Sequence, residues 1–286
     1  MSLKALVESP EDEIILIAPF FSEYTVFIQN TGAKRVVLPP DTTHFQIDFA
    51  ALEHTITPHT RAIIINSPNN PSGTVYTADT YTRLAALLTQ KSKEYGHPVY
   101  IISDEPYREI VFDGKQQPYV SKFYANTISC YSFSKALSLP GERIGYLAVN
   151  PACPYAAEIV NMCGQISRGI GHNCPTSLMQ LAVSKVLDLT SDFSVYEKNR
   201  NLLYECPTDC GFEVVKPEGT FYIFPKAPEA DAAAFCQKAL QYDLVLVPAD
   251  SFGCPGYFRM AYCIDTEKVE RSIAALEKFV HEVYGR

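Results

Sequence analysis

Short apolar runs rich in β-branched residues recur through the first half of the chain, at Ile14–Ile17, Arg35–Leu38, Arg61–Asn66, Val99–Ser103, Thr127–Tyr131 and Ile144–Val149. Their apolar character is continuous rather than alternating, as expected of strands covered on both faces. Between several of them the period lengthens to that of a helix. The clearest case is Ala78–Tyr95, where Leu84, Leu87 and Leu88 form a stripe behind a helix-starting turn at Thr77–Asp79. Strands alternating with helices predict an α/β fold, a mostly parallel sheet with helices on both faces.

From about Pro151 the pattern changes. Helices are predicted at Pro175–Leu187, from Phe193 toward Tyr204, at Ala230–Tyr242 and at Thr266–Val283. Among them lie a strand pair around Phe212–Val215 and Thr220–Phe224 and further strands at Leu244–Val247 and Tyr257–Tyr262. The chain therefore divides into a large α/β domain over residues 1–170 and a smaller C-terminal α+β domain over residues 171–286. At the other end, Met1–Val7 reads as the tail of a helix running into the polar turn SPEDE. A domain seldom begins inside a helix, so the chain is expected to lack an amino-terminal portion.

A length of 286 residues suits two compact units, and a net charge of −8 makes nucleic acid an unfavourable partner. No apolar stretch approaches the roughly 20 residues that span a bilayer, and no cationic leader precedes one. A soluble, cytoplasmic protein is expected. The nine cysteines are scattered, and the close pair Cys206 and Cys210 has no matching Cys or His pair nearby. Reduced, mostly buried thiols are expected and no metal site.

Three polar clusters each follow directly on a predicted strand: NSPNNPSG, SDEPY and SFSK. In a parallel sheet ligands sit beyond the carboxyl ends of the strands, so these loops can share one site. In SFSKALSLPGERIGY, Lys135 stands between hydroxyl residues, and Arg143 follows eight positions later, flanked by Gly141 and Gly145. A lysine amine can form a Schiff base with an aldehyde cofactor, and Ser132, Ser134 and Arg143 can hold its phosphate. Taken alone, such a lysine reads as a solvated loop residue. Asp104, closing the strand VYIIS, is read alone as a turn carboxylate; beside a cofactor lysine it can keep a pyridine nitrogen protonated. Tyr107, three residues on, can reach the phenolic oxygen of the same ring, or be an ordinary half-buried tyrosine. Asn70 sits in a loop opened by Pro71 and Gly73, either as a turn residue or as a donor to that oxygen. Phe21 either packs in the core or lies against the ring. Arg259, in the β-rich run GYFRMAY, either snorkels to solvent or offers its planar fork to a substrate carboxylate.

Together these residues give a chain that resembles the class I/II aminotransferases of the fold-type I pyridoxal-phosphate enzymes. The match runs in order from about Ser9 to the carboxyl end, through Phe21, NNPSG with Asn70, SDEPY with Asp104 and Tyr107, SFSK with Lys135, GERIGY with Arg143, PEGTFYIF around Gly219 and FRMAY with Arg259. The resemblance implies a homodimer using pyridoxal 5'-phosphate, with Lys135 as the Schiff-base lysine and proton carrier. It also implies Asp104 on the ring nitrogen, Asn70 and Tyr107 on the phenolic oxygen, Phe21 stacked, Ser132, Ser134 and Arg143 on the phosphate, and Arg259 on the substrate α-carboxylate. The implied reaction moves an amino group from an aspartate- or aromatic-like amino acid to a 2-oxo acid. A β-lyase acting on cysteine conjugates, or a catalytically impaired cofactor-binding protein, are the alternatives. Relative to the family, a glycine-containing phosphate loop and a substrate-covering arm are expected upstream of Met1.

Overall fold

The structure, a computed structural model, describes residues 1–285. After α1 (Ser2–Leu6), strands and helices alternate: β1 (Glu13–Ile17), α2 (Glu23–Gln29), β2 (Lys34–Leu38), α3 (Phe49–Thr55), β3 (Thr60–Asn66), α4 (Ala78–Tyr95), β4 (Tyr100–Asp104), β5 (Thr127–Ser132), α5 (Phe133–Ala136), β6 (Gly145–Val149) and α6 (Ala156–Gly169). The six strands form one sheet in the order β2-β1-β3-β4-β5-β6. All neighbours run parallel except β5 and β6.

Successive side chains of β1 explain why the strand sequences are apolar throughout. Ile15 and Ile17 join a cluster with Leu38, Ile63 and the α4 residues Leu84 and Leu88, whereas Ile14 and Leu16 join another with Leu3, Leu6, Ile28 and Ile159. Both faces are thus sealed by helices. The ends of α4 follow local rules: the Thr77 side chain accepts a hydrogen bond from the Thr80 amide, and Gly96 closes the helix at φ 75°. The strand order reverses at β1, so the carboxyl ends of β1 and β3 flank a topological switch point, and those of β4 and β5 lie on the same edge.

The remainder comprises α7 (Ser177–Val183), α8 (Ser194–Asp209), β7 (Tyr222–Ile223), α9 (Ala232–Ala239), β8 (Val247–Pro248), β9 (Phe258–Ala261) and α10 (Thr266–Tyr284), with a small antiparallel sheet in the order β7-β9-β8. The strand expected at Phe212–Val215 does not form. The Phe212 amide turns back onto the Pro207 carbonyl at the end of α8, and the one bond from the Lys226 amide to the Glu213 carbonyl falls beyond the expected partner Thr220–Phe224. Similarly, the Leu244 amide is spent on the Ala239 carbonyl, and the expected strand there shrinks to β8. None of the described helices is long and apolar enough to cross a membrane.

Residues from the first half complete the core of the second. Tyr107, Ile110 and Phe112 pack among Phe221, Phe235, Phe258 and Leu276, and Phe45 packs on Phe224 and Tyr257. The junction is also clamped by backbone. The amides of Glu218 and Gly219 both donate to the Gly73 carbonyl, at 2.9 and 3.0 Å, and the Glu218 carboxylate accepts from the Val75 amide at 3.2 Å. A Cβ on Gly73, whose φ is 74°, would stand 2.5 Å from Pro217 Cβ, and one on Gly219 would stand 2.6 Å from the Ile110 carbonyl oxygen.

Arg200 on α8 is fully buried. Its guanidinium holds both oxygens of Asp113, at 2.8 and 3.0 Å, donates to the Pro217 carbonyl at 3.1 Å and lies 4.8 Å from the centre of the Phe112 ring. Asp113 is open to water on its far side, so Arg200→Met leaves a solvated acid rather than a stranded one. The expected loss is about 3 kcal/mol, at the lower end for breaking a buried pair, read as a drop in the urea midpoint at constant slope.

Candidate active site

The loops at the carboxyl ends of β1, β3, β4 and β5 converge with the β7–β9 face of the small sheet. Lys135 lies in the single helical turn α5, whose start is set by Ser132: its hydroxyl accepts from the Ser134 amide at 3.2 Å and lies 2.6 Å from the Ser134 hydroxyl. The Lys135 amine is half-buried, 5.3 Å from the centre of the Phe221 ring and 5.8 Å from that of Tyr107. Burial lowers its basicity; Cys263 opposes that, and the positive charges of Arg259 and Arg143, each a lesser influence, lower it further. An amine so placed loses its proton more readily than a solvated lysine.

Asp104 closes β4, in register with Cys130 on β5. Its backbone carbonyl accepts from the Asn66 side chain at 2.8 Å, and its carboxylate accepts from the Tyr24 hydroxyl at 2.5 Å. Burial raises the carboxyl to about 6; the Tyr24 hydrogen bond pulls down and the negative charge of Glu105 pushes up, with no cation among the groups that act on it. Asp104 borders a largely apolar cavity of about 680 Å³, which Tyr24, Ile64, Ile102 and Cys130 also line.

Tyr107 is buried, with its ring perpendicular to that of Phe221 at 5.4 Å, and burial together with Tyr222 drives its phenol well above the usual range. Asn70 is buried in the loop after β3, where its amide donates to the Asn66 side chain at 2.7 Å. Its side-chain oxygen accepts from Arg259 Nη1 at 2.9 Å, a contact between residues 189 positions apart. The Arg259 guanidinium lies between the rings of Tyr222 and Phe252, at 4.3 and 4.9 Å. Phe21 meets Tyr24 edge-on at 5.6 Å. Arg143 adopts a left-handed φ of 53°, is exposed, and donates to the Pro140 carbonyl of its own turn at 2.8 Å.

Lys135, Asp104, Tyr107 and Asn70 therefore share one edge of the large sheet, and Arg259 reaches it from β9 of the small sheet. Phe21 joins it through Tyr24, the two serines face each other, and Arg143 acts on Lys135 by charge across the turn. Sequence reasoning missed Tyr24 and Phe252, and took Phe221 and Tyr222 only as part of a motif. The one local signal was for Tyr24, which stands three residues beyond Phe21, one helical turn along.

The sequence profile of the family described as aminotransferase class I and II matches residues 2–276. The aromatic-amino-acid aminotransferase 2 of Thermococcus litoralis is 31% identical over 287 residues, covering 95% of this chain and 70% of that protein. An aspartate aminotransferase of Bacillus subtilis is 29% identical, covering 98% and 73%. Among solved structures, an amino transferase from Eubacterium rectale shares 50% identity with a TM-score of 0.95, covering 99% of this chain and 71% of the other. With the profile matching nearly end to end and the strand-end residues gathered at one edge, the chain belongs to the aminotransferase class I and II family.

Proposed function

We propose that this chain is an aminotransferase that uses pyridoxal 5'-phosphate to move an amino group from an aspartate- or aromatic-like amino acid to a 2-oxo acid. The observation that carries the reading is Asp104: an acid raised by burial, given a hydroxyl but no cation, on the strand beside a half-buried amine of lowered basicity. Such an acid suits a protonated ring nitrogen, and the family is one of generally pyridoxal-phosphate-dependent enzymes. The names of the relatives support the reaction class.

When bound, the cofactor supplies an aldehyde for an amine and an electron sink for the substrate's Cα. The chain supplies the rest. Lys135 offers its Nζ as nucleophile and carries a proton to and from the substrate Cα. Asp104 keeps the ring nitrogen protonated, Asn70 and Tyr107 donate to the phenolic oxygen, and Phe21 covers the ring face. Ser132, Ser134 and Arg143 take the phosphate. Arg259, already fixed by Asn70 and two rings, presents its free edge to the substrate α-carboxylate.

Two further parts belong to the same proposal. One is the division into units of residues 1–170 and 171–286, supported by the two separate sheets. The other is a cytoplasmic homodimer, supported by the exposed apolar residues Val160, Ile170, Leu178 and Leu181 on and beside α6 and α7 and by nine free cysteines.

Mixing the purified protein with pyridoxal phosphate should give an absorbance band that an amino donor shifts and a 2-oxo acid restores. A donor screen that converts no cofactor would overturn the reading, and pyruvate and ammonia released without an acceptor would mark a β-lyase. For Arg259→Ala, KM for both donor and acceptor should rise about 10- to 100-fold, the worth of charged hydrogen bonds, with a smaller change in kcat. Arg259→Lys should not restore it, because a point charge cannot replace the fork.

A further inference from the structure

Resting on the cofactor reading above, we propose that Tyr24 is a positioning residue for Asp104: its hydroxyl fixes one carboxylate oxygen so that the other faces the ring nitrogen as an anion. The geometry ties Tyr24 to Asp104. The tyrosine is 5% exposed on α2, set edge-on to Phe21 and tilted against Phe27, and among the described residues its hydroxyl bonds to Asp104 alone, at 2.5 Å. Asp104 is held at its other end as well, through its carbonyl and the Asn66 side chain. A carboxylate tied at backbone and at one oxygen has little freedom left, and no second hydrogen bond to it exists among the described residues.

The charges around Asp104 come from every side. Tyr24 faces it from α2, Glu105 and Tyr107 act on it from the segment after β4, Cys130 from β5, and Lys4 of α1 borders the same cavity. Glu105 is engaged elsewhere, accepting from Arg108 Nε at 2.9 Å and from the Ser129 hydroxyl at 3.0 Å. Burial pushes the Cys130 thiol up to about 12 and the Tyr24 phenol well above its ordinary value, so both stay protonated at neutral pH. Tyr24 is therefore always a donor. Burial and the negative charge of Glu105 favour the neutral acid at Asp104, and the Tyr24 hydrogen bond is the influence that favours its anion. Without it the carboxyl would titrate higher, and less anion would be available near pH 6.5.

The test is Tyr24→Phe, which removes the hydroxyl and keeps the ring. In the cofactor-free protein, ¹³C NMR of labelled aspartate, with Asp104 assigned through Asp104→Asn, should show the Asp104 midpoint rising by about one pH unit. The acid limb of pyridoxal phosphate affinity should move by the same amount. That makes binding about fivefold weaker at pH 6 and equal to the parent at pH 8.5. 3-Fluorotyrosine placed at position 24 is a stronger donor and should move the midpoint downward, which keeps the test open should Tyr24→Phe fold poorly. An unmoved midpoint in both overturns the proposal, even if melting temperature falls. A moved midpoint with cofactor affinity indifferent to Asp104→Asn overturns instead the cofactor reading beneath it.

Discussion

Lys135→Ala should lower the transamination rate by about 10⁴-fold, the upper range for loss of a positioned proton carrier, and borohydride should no longer fix the cofactor to the chain. The neighbouring guanidiniums of Arg259 and Arg143 cannot substitute, because that group offers hydrogen-bond donors and no free lone pair. Folding should not suffer. The amine is disfavoured as a cation by burial and by two guanidiniums, so its removal relieves repulsion, and the melting temperature should hold or rise. A small added amine should restore part of the rate by entering the vacated space. A variant that worked within tenfold of the parent would remove Lys135 from the chemistry.

Gly219→Ala should damage stability and catalysis together. The added methyl would meet the Ile110 carbonyl oxygen at 2.6 Å and Pro68 Cβ at 2.8 Å. Neither yields easily: that carbonyl accepts from the Thr220 amide at 2.9 Å, and Pro68 belongs to the loop that carries Asn70. The expected cost is about 3 kcal/mol, toward the upper end for overpacking, seen as a lower denaturant midpoint. Because the same clamp sets Asn70 against Arg259, kcat/KM should fall at least about tenfold, as for loss of one charge-assisted hydrogen bond. Gly169→Ala, at the end of α6 with no atom within 4 Å of the new Cβ, should leave stability unchanged or slightly raised. Equal effects from the two alanines would show that the clamp does not matter.

Of the six strands of the large sheet, all legible to within about a residue, β1, β3 and β4 are sealed on both faces, which forces continuous apolar sequence, whereas the edge strands β2 and β6 are more open. The second sheet was less legible. Its strands are two to four residues long, and what makes them strands is the partner they meet, so Phe212–Val215 carries strand-like composition yet spends its first amide on Pro207. The candidate site divides in the same way. Lys135, Asp104 and Asn70 stand out because their motifs sit where parallel strands end. Tyr24 touches Asp104 across 80 positions, and Tyr222 and Phe252 bracket Arg259 only once β7 and β9 pair. No spacing rule reports such contacts. Arg200 is harder still, since in sequence it belongs to a polar helix, and only the fold surrounds it with Phe112, Asp113 and Pro217.

Because Tyr107, Ile110 and Phe112 are built into the core formed by α8, α9 and α10, the carboxyl-terminal portion is not a transplantable module. A chimera joined at residue 171 inherits a hole where three aromatic and aliphatic side chains belong, unless the donor's 107–112 segment travels with it. Sequence drift on the two sides of that seam is therefore coupled. A larger side chain accepted at Ile110 has to be answered near Phe221 or Gly219, more than a hundred positions downstream.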